Sequence, residues 1–199
     1  MSKRFIDVNF TAKKLRTQSL MLKNEGNIIC RRLTADDFEN LLQYLDQLSP
    51  ESKSRFGPHA FDIHTIIAVY QKSDSHIGYI TVEEKSSKII AYAILLKGFL
   101  EHDNQRLQSY GIIPEHLTDC TYAPSVADDW QGRGVGTALF KFILGDLQKT
   151  SFRRIILWGG VQTGNERAIR FYKNNGFTIL GEFQYNGNNL DMIYNYPPI

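Results

Sequence analysis

Seven consecutive residues carry the clearest chemistry in the chain. Gln131-Gly132-Arg133-Gly134-Val135-Gly136-Thr137 places glycine at three alternate positions, and an amphipathic run, Leu139-Phe140-Lys141-Phe142-Ile143-Leu144, follows close behind. Glycine admits positive φ and lets a ligand approach with no Cβ in the way. A helix that opens here points its first, unbonded N–H groups back into the loop. Its dipole favours negative charge at that end. The stretch predicts a seat for a phosphate-bearing cofactor.

Two phosphate loops do not fit it. A dinucleotide fold wants G-x-G-x-x-G, and the registers that begin at Gly132 and Gly134 put Thr137 and Leu139 where the third glycine belongs. A nucleoside-triphosphate loop wants Gly-Lys-Ser/Thr, which does not occur in the sequence. What remains is Gln131-x-x-Gly134-x-Gly136, set after a strand and before a helix.

Other reactive side chains are less organised. Cys30 and Cys120 lie far apart in apolar or β-like contexts and read as two reduced, packed thiols. The histidines at 59, 64, 76, 102 and 116 have no ligand spacing, so no metal is expected. The formal charge of +2 is too near neutral to point to nucleic acid. The basic excess is local: Lys3, Arg4, Lys13, Lys14, Arg16 and Lys23 face only Asp7 before residue 25, a solvated arm or a patch for an acidic surface. No run approaches the roughly 20 apolar residues of a membrane span, and no export signal opens the chain, so the expectation is a cytoplasmic protein with no membrane partner.

The elements that must position the loop follow from periodicity. With 199 residues and 42% hydrophobic content, the chain suits one domain with its own core. Residues 1–26 form an N-terminal extension, an arm or an added element, and 27–199 form the domain. A strand at Ile28–Leu33 leads to a helix with Phe38, Leu41, Leu42, Leu45 and Leu48 on one face. Ser49-Pro50-Glu51 caps a second helix, and Asp62 a third over Ile63–Tyr70. Strands at 77–82 and 89–96 make a hairpin. An irregular polar insertion fills 97–117. The next strand, about Leu117–Val126, holds Pro124, which predicts a bulge or a splayed edge. A helix to about Lys149, a strand at Arg154–Trp158, and a helix opened by Gly164-Asn165 and closed by Gly176 follow. A hairpin over 177–194 ends the series. Strands and helices in this order give an α/β fold with a mixed sheet.

Three blocks in this order resemble the GCN5-related N-acetyltransferase (GNAT) family. Val126–Leu139 is similar to its acetyl-CoA pyrophosphate motif, with Gln131 at the Arg/Gln position and Asp128 where proline is common. Asn165–Phe177 is similar to its second signature, an Asn, then a Phe-Tyr pair, then Gly-Phe. Arg31–Asp37 is similar to its first strand and helix entry. The resemblance implies a single GNAT-like domain whose mixed, mostly antiparallel sheet splays at the cofactor slot. It implies acetyl-CoA as co-substrate, a small-molecule or peptide amine as acceptor, and a monomer or homodimer. The backbone from Gly132 to Thr137, including Arg133, Gly134, Val135 and Gly136, would hold the pyrophosphate. Arg133 would contact a phosphate or face solvent; Thr137 would bind a phosphate or cap its helix. The Val126 N–H would polarise the thioester carbonyl. Asn165 would contact pantetheine or cap its helix. Tyr172 would stabilise or protonate the leaving thiolate.

Asp119, Glu83, Glu101 and His102 lie in segments able to reach the slot, and none stands out as base. Acceptor choice is expected from the helices at 35–72, the insertion and the C-terminal hairpin. There Phe56, Phe61, Phe99, Tyr110 and Tyr185 accompany Asp103 and Glu115, as packed loops or as a site for a cationic amine. Two other readings stand beside the enzyme: a non-catalytic acyl-CoA-binding or regulatory module on the same fold, and an interaction domain using the basic arm.

Overall fold

A computed structural model describes residues 16–22, 26–71, 74–148 and 150–196. Its sheet is mixed. β1 (Thr17–Leu22), β2 (Gly26–Arg32), β3 (His76–Glu83), β4 (Ile89–Lys97) and β5 (Asp119–Val126) pair antiparallel in sequence order. β6 (Arg154–Leu157) then runs parallel to β5, and β9 (Asn188–Asn195) antiparallel to β6. β7 (Val161–Gln162) and β8 (Thr178–Gln184) both pair with β9. The order is β1-β2-β3-β4-β5-β6-β9-β7, with β8 also on β9.

Helices cover both faces. On one, α5 (Val135–Leu147) buries Leu139, Phe140, Ile143 and Leu147 in a cluster with Ala91, Ala93, Leu95, Cys120 and Tyr122. On the other, α1 (Phe38–Gln47) and α3 (Ile63–Gln71) bring Leu41, Leu45 and Ile66 into a cluster with Ile80, Tyr92 and Ile94. Side chains on a strand alternate between faces, so β4 feeds both cores and reads as an unbroken apolar run. α2 (Pro50–Arg55) begins at Ser49, whose hydroxyl accepts from Ser52 N. α6 (Glu166–Asn174) begins at Asn165. Among the described residues no helix is long and apolar enough to cross a membrane. Cys30 and Cys120 are free and buried, and burial pushes both thiols up from their ordinary range.

Several expectations need correcting. The segment 97–117 is not irregular: it holds a 3-10 turn at Glu101–Asp103 and a short helix, α4 (Asn104–Ser109). Arg106 holds it down, through Asp191 at 2.6 Å and Asp103 at 2.8 Å, with its guanidinium 3.7 Å from the centre of the Phe183 ring. A six-residue helix with one buried apolar residue, Leu107, leaves no period to read. Asp103 is therefore spent on an ion pair. Of the two outcomes expected at Pro124, the structure has the splayed edge and not the bulge: β5 keeps register with β4 from Cys120 through Val126 and pairs with β6 only as far as Tyr122. Within the expected N-terminal extension, Thr17–Leu22 forms the edge strand β1, while its residues 1–15 and 23–25, which hold most of the expected basic arm, lie outside the described residues.

Asp119 is not a candidate base. It is fully buried, bonded by Arg154 Nε at 2.6 Å and Nη2 at 2.9 Å, and it accepts from Glu115 N at 2.7 Å. The pair ties β5 to β6 at the end where the two strands are joined. Removing one partner of such a pair leaves the other charge unmatched. Asp119→Ala is expected to cost about 3 kcal/mol of folding stability, read as a lowered midpoint in urea with an unchanged slope.

Candidate active site

β5 and β6 part company halfway along. Their ladder runs from Asp119↔Arg154 to Tyr122↔Leu157, and the last rung is Trp158 N to Tyr122 O at 2.9 Å. Beyond it, Ala123–Val126 pair only with β4. The direction of each backbone group follows from alternation. Gly98 N bonds Asp119 O and Ala127 N bonds Ile90 O, so odd-numbered residues of β5 face β4. Even-numbered residues face the fork. Pro124 is one of them, so its missing N–H costs the sheet no hydrogen bond. Val126 is the other, and its N–H is the one main-chain donor that β5 directs into the fork beyond Tyr122.

The glycine loop closes the mouth of this fork. A 3-10 turn at Asp128–Trp130 leads into it, and Gly132 and Gly134 take φ of 78° and 87°. α5 starts at Val135, and Ala138 N bonds Gly134 O at 3.0 Å. The N–H groups of Val135, Gly136 and Thr137 therefore precede any helical acceptor and stand open at a helix N-terminus. Gly136 serves by closeness: a Cβ there would lie 3.2 Å from the Phe171 ring and 3.5 Å from Val126 Cγ2. That packing brings the helix start, α6 and the end of β5 together.

A polar hub fixes the loop from behind. Gln131 Nε2 donates to Val126 O at 3.1 Å and to Ser52 Oγ at 3.3 Å, while its Oε1 accepts from Arg167 Nη1. Asp128 accepts from Ser49 N at 2.9 Å, Ser49 Oγ at 3.0 Å and Ser52 Oγ at 2.6 Å. Partial burial opposes the Asp128 charge, but the hydrogen bonds from Ser52 and Ser49 hold its carboxyl below the usual carboxylate range. Asp128 thus stands where proline is common because it binds the N-terminus of α2. Sequence reading took Ser49 only as a cap; nothing in the spacing told that its partner lies 79 residues away.

The remaining expected residues fall around the fork. Asn165 caps α6, its Oδ1 accepting from Ala168 N at 3.2 Å, which leaves its amide N–H groups as the donors it can offer a ligand. Thr137 does not cap α5, whose N-cap is Gly134; its hydroxyl meets Asn175 Nδ2 at 3.4 Å. The Arg133 guanidinium carbon lies 5.5 Å from the Trp130 ring centre. Tyr172 is buried between Phe171 and Phe177, with ring centres at 5.1 and 5.2 Å. Burial holds its phenol well above the ordinary tyrosine range.

Tyr122 was missed. Its ring packs on Phe177 and Phe140, and its hydroxyl is a buried side-chain atom with no partner among the described residues. Burial, and then the nearby Tyr172 phenol, raise it far above its ordinary range. An orphaned buried hydroxyl at the rung where the fork opens, with a cradle of open N–H groups at its mouth, suits a long ligand carrying phosphate at one end and a polar chain at the other. A string of side chains before a proline resembles any β-strand, so only the fold could expose Tyr122.

The other expected base candidates are engaged elsewhere. Glu101 meets His116 Nε2 at 2.8 Å, His102 meets Asp103 at 3.4 Å, and Glu83 accepts from Ser86. Among the described residues no group of three His, Cys, Asp or Glu is placed to hold a metal.

Known proteins give the same picture. No curated protein matches the sequence. Solved structures do: the GNAT domain of PAT from S. lividans has 22% identity and a TM-score of 0.70, covering 90% of this chain and 97% of that one. The ribosomal-protein-S5-alanine acetyltransferase from Vibrio fischeri has 14% identity and a TM-score of 0.65, covering 89% and 96%. A chimeric spermidine N-acetyltransferase from Vibrio cholerae and hSSAT has 18% identity and a TM-score of 0.59, covering 84% and 95%. At these identities the likeness is one of fold. The acetyltransferase (GNAT) family model matches residues 41–177, more than half of the chain, from α1 through the glycine loop to the end of α6. The forked sheet and its glycine-lined mouth are those of a GNAT acetyltransferase, and the chain belongs to that family.

Proposed function

We propose that this protein is an N-acetyltransferase that moves an acetyl group from acetyl-CoA directly to a primary amine. The observation that carries the reading is the fork itself. Its inner edge has one donor, at Val126, and its mouth is a helix N-terminus with three open N–H groups.

Each part has a task in this reaction. The loop from Gly132 to Thr137 seats the diphosphate, with Arg133 beside it adding positive charge. The pantetheine arm lies against β5 as an added strand, paired through main-chain groups. Asn165 offers its amide N–H groups to that arm. The Val126 N–H points at the thioester oxygen, where charge develops as the carbonyl carbon is attacked. Gln131 keeps Val126 and the loop in fixed relation. Tyr172 keeps its proton at neutral pH because it is buried, and it faces the sulfur as a donor that stabilises or protonates the departing thiolate. Cys120 takes no part: it is buried, and its thiol is pushed away from ionisation. The amine attacks the thioester directly. The neighbours of similar fold carry names with unlike acceptors, a ribosomal protein alanine and spermidine.

Three measurements test the reading. Acetyl-CoA at 100 times its dissociation constant is expected to add about 2.7 kcal/mol to stability, seen as a rise in Tm; desulfo or dephosphorylated fragments locate the binding energy. Gly134→Val is expected to weaken acetyl-CoA binding and to cost about 1–2 kcal/mol of stability, because a β-branched residue resists positive φ. Gly134→Asn costs less, since asparagine tolerates that region and no atom lies within 4 Å of the new Cβ. Among the described residues the Tyr172 hydroxyl has no hydrogen-bond partner, so Tyr172→Phe is expected to keep its Tm. It loses on the order of 10²-fold in kcat with little change in acetyl-CoA affinity. Undiminished turnover in a folded Tyr172→Phe protein would remove Tyr172 from the mechanism.

A further inference from the structure

The fork has a second face, away from α5 and α6. With Tyr172 of α6 at the sulfur on the first face, an acceptor amine reaches the thioester carbon from the second. Side chains of β5 alternate between the two faces. Tyr122 and Val126 pack with the α5 cluster, and Ala123 belongs to the α1–α3 cluster. Ser125 therefore stands on the second face, directly before the Val126 N–H. Its Cα and the Val126 nitrogen are bonded to the same carbonyl carbon. Covalent geometry alone keeps its Oγ within about 5 Å of that nitrogen.

The hydroxyl is held in one sense. Tyr44 of α1 donates to Ser125 Oγ at 2.9 Å, and Ser125 Oγ donates to Tyr92 O at 3.4 Å. Tyr92 is the residue opposite Ser125 on β4. A serine hydroxyl has one proton to give and two lone pairs to accept with. The proton and one lone pair are used, so a single lone pair is left, and what it can take is an N–H or O–H donor. Tyr44 is buried, and burial raises its phenol above the ordinary tyrosine range, so it stays a donor at neutral pH. Ser125 itself is only partly buried. Other polar side chains on this face are turned to one another: His59 Nε2 and the Tyr70 hydroxyl both meet the Tyr92 hydroxyl, and His59 Nδ1 meets Ala60 O.

We propose that Ser125 is a catalytic residue of the transfer, whose Oγ accepts a hydrogen bond from the acceptor amine and sets its nitrogen over the thioester carbon, and that Tyr44 is the residue that positions this lone pair. The proposal rests on the acetyltransferase reading above. Ser125 takes one N–H of the neutral amine and leaves the nitrogen lone pair free to attack. The nitrogen bonds the carbonyl carbon and the carbon–sulfur bond breaks. The sulfur leaves as a thiol with the proton of Tyr172, the surplus proton on nitrogen passes to solvent, and solvent returns one to Tyr172. Acetyl-CoA and amine become amide and CoA, with Ser125 unchanged. Positive charge grows on the nitrogen during the attack, so its hydrogen bond to Ser125 strengthens toward the transition state. The effect therefore falls on kcat more than on KM.

The test uses the full chain and its Ser125→Ala, Ser125→Thr and Tyr44→Phe variants, with the Ser125→Ala/Tyr44→Phe double variant. CoA thiol release is followed with an alanine-ended peptide, spermidine and hydroxylamine. Acetyl-CoA binding by calorimetry and Tm are measured alongside. With any nucleophile that the wild type uses, Ser125→Ala is expected to lower kcat on the order of 10-fold, with acetyl-CoA affinity and Tm near wild type. Ser125→Thr keeps the hydroxyl and most of the rate. Tyr44→Phe loses about 3-fold. The double variant is no slower than Ser125→Ala, because Tyr44 acts through a hydroxyl that is already gone. A folded Ser125→Ala protein with the wild-type kcat, or Ser125→Thr as slow as Ser125→Ala, overturns the part given to the hydroxyl. A Tyr44→Phe loss just as large in the Ser125→Ala background overturns the part given to Tyr44. A wild-type protein that fails to bind acetyl-CoA, or binds it and releases no thiol with any of the three, overturns the acetyltransferase reading instead.

Discussion

A strand edge inside a sheet has to find partners, and the structure is organised around one that does not. From Ala123 to Val126, β5 is bonded on one side only. Left dry and unpaired, main-chain groups there would each cost as much as a lost hydrogen bond. The fold meets this in three ways. Pro124 removes one donor outright. Gln131 reaches back to the Val126 carbonyl at 3.1 Å. The remaining donor, the Val126 N–H, faces the open side of the fork. The opening is kept by the elements at its ends. Asp119 and Arg154 pin the closed end, and the contact of Gly136 with Phe171 and Val126 sets the open one.

The rest of the molecule is fastened at a distance from the fork by charged pairs that cross between elements. Arg32 and Tyr79 share Asp146 on α5, which fixes that helix over β2 and β3. Arg31 and Asp37, bonded at 2.6 and 2.7 Å, fix the entry to α1. Arg106 joins α4 to Asp191 on β9. Each has one partner nearly buried, and each links segments that the apolar cores alone would leave free to slide. Such pairs add little net stability; their value is in holding registers.

Much of this was legible in the sequence, wherever a local rule decides the structure. Ser49 before Pro50, Asp62 before Ile63, and Gly176 after Asn175 mark helix ends by capping chemistry that needs no tertiary partner. The glycine loop was legible because positive φ at Gly132 and Gly134 is a backbone demand. What could not be read was set by partners far along the chain. α4 depends on Asp191, 85 residues from Arg106. The part played by Asp128 depends on Ser49 and Ser52. At Pro124 the choice between a bulge and a splayed edge depends on which strand lies on which side, and no local pattern gives that. β7 has two residues and no pattern. Trp158 and His76, whose rings stack 6.2 Å apart, come from segments 82 positions apart and share no motif.

The Asp128 hub has a consequence for how such enzymes can be altered. α2 belongs to the half of the molecule proposed to meet the acceptor, yet its first turn is bolted to the glycine loop proposed to hold the cofactor. The two halves are therefore not interchangeable cassettes. An α1–α3 segment grafted from another family member would bring a new acceptor surface and lose the two serines that Asp128 and Gln131 expect. The glycine loop would loosen although none of its own residues had changed. Ser49 and Ser52 would have to travel with any such graft, as the mortise that the loop's tenon was cut to fit.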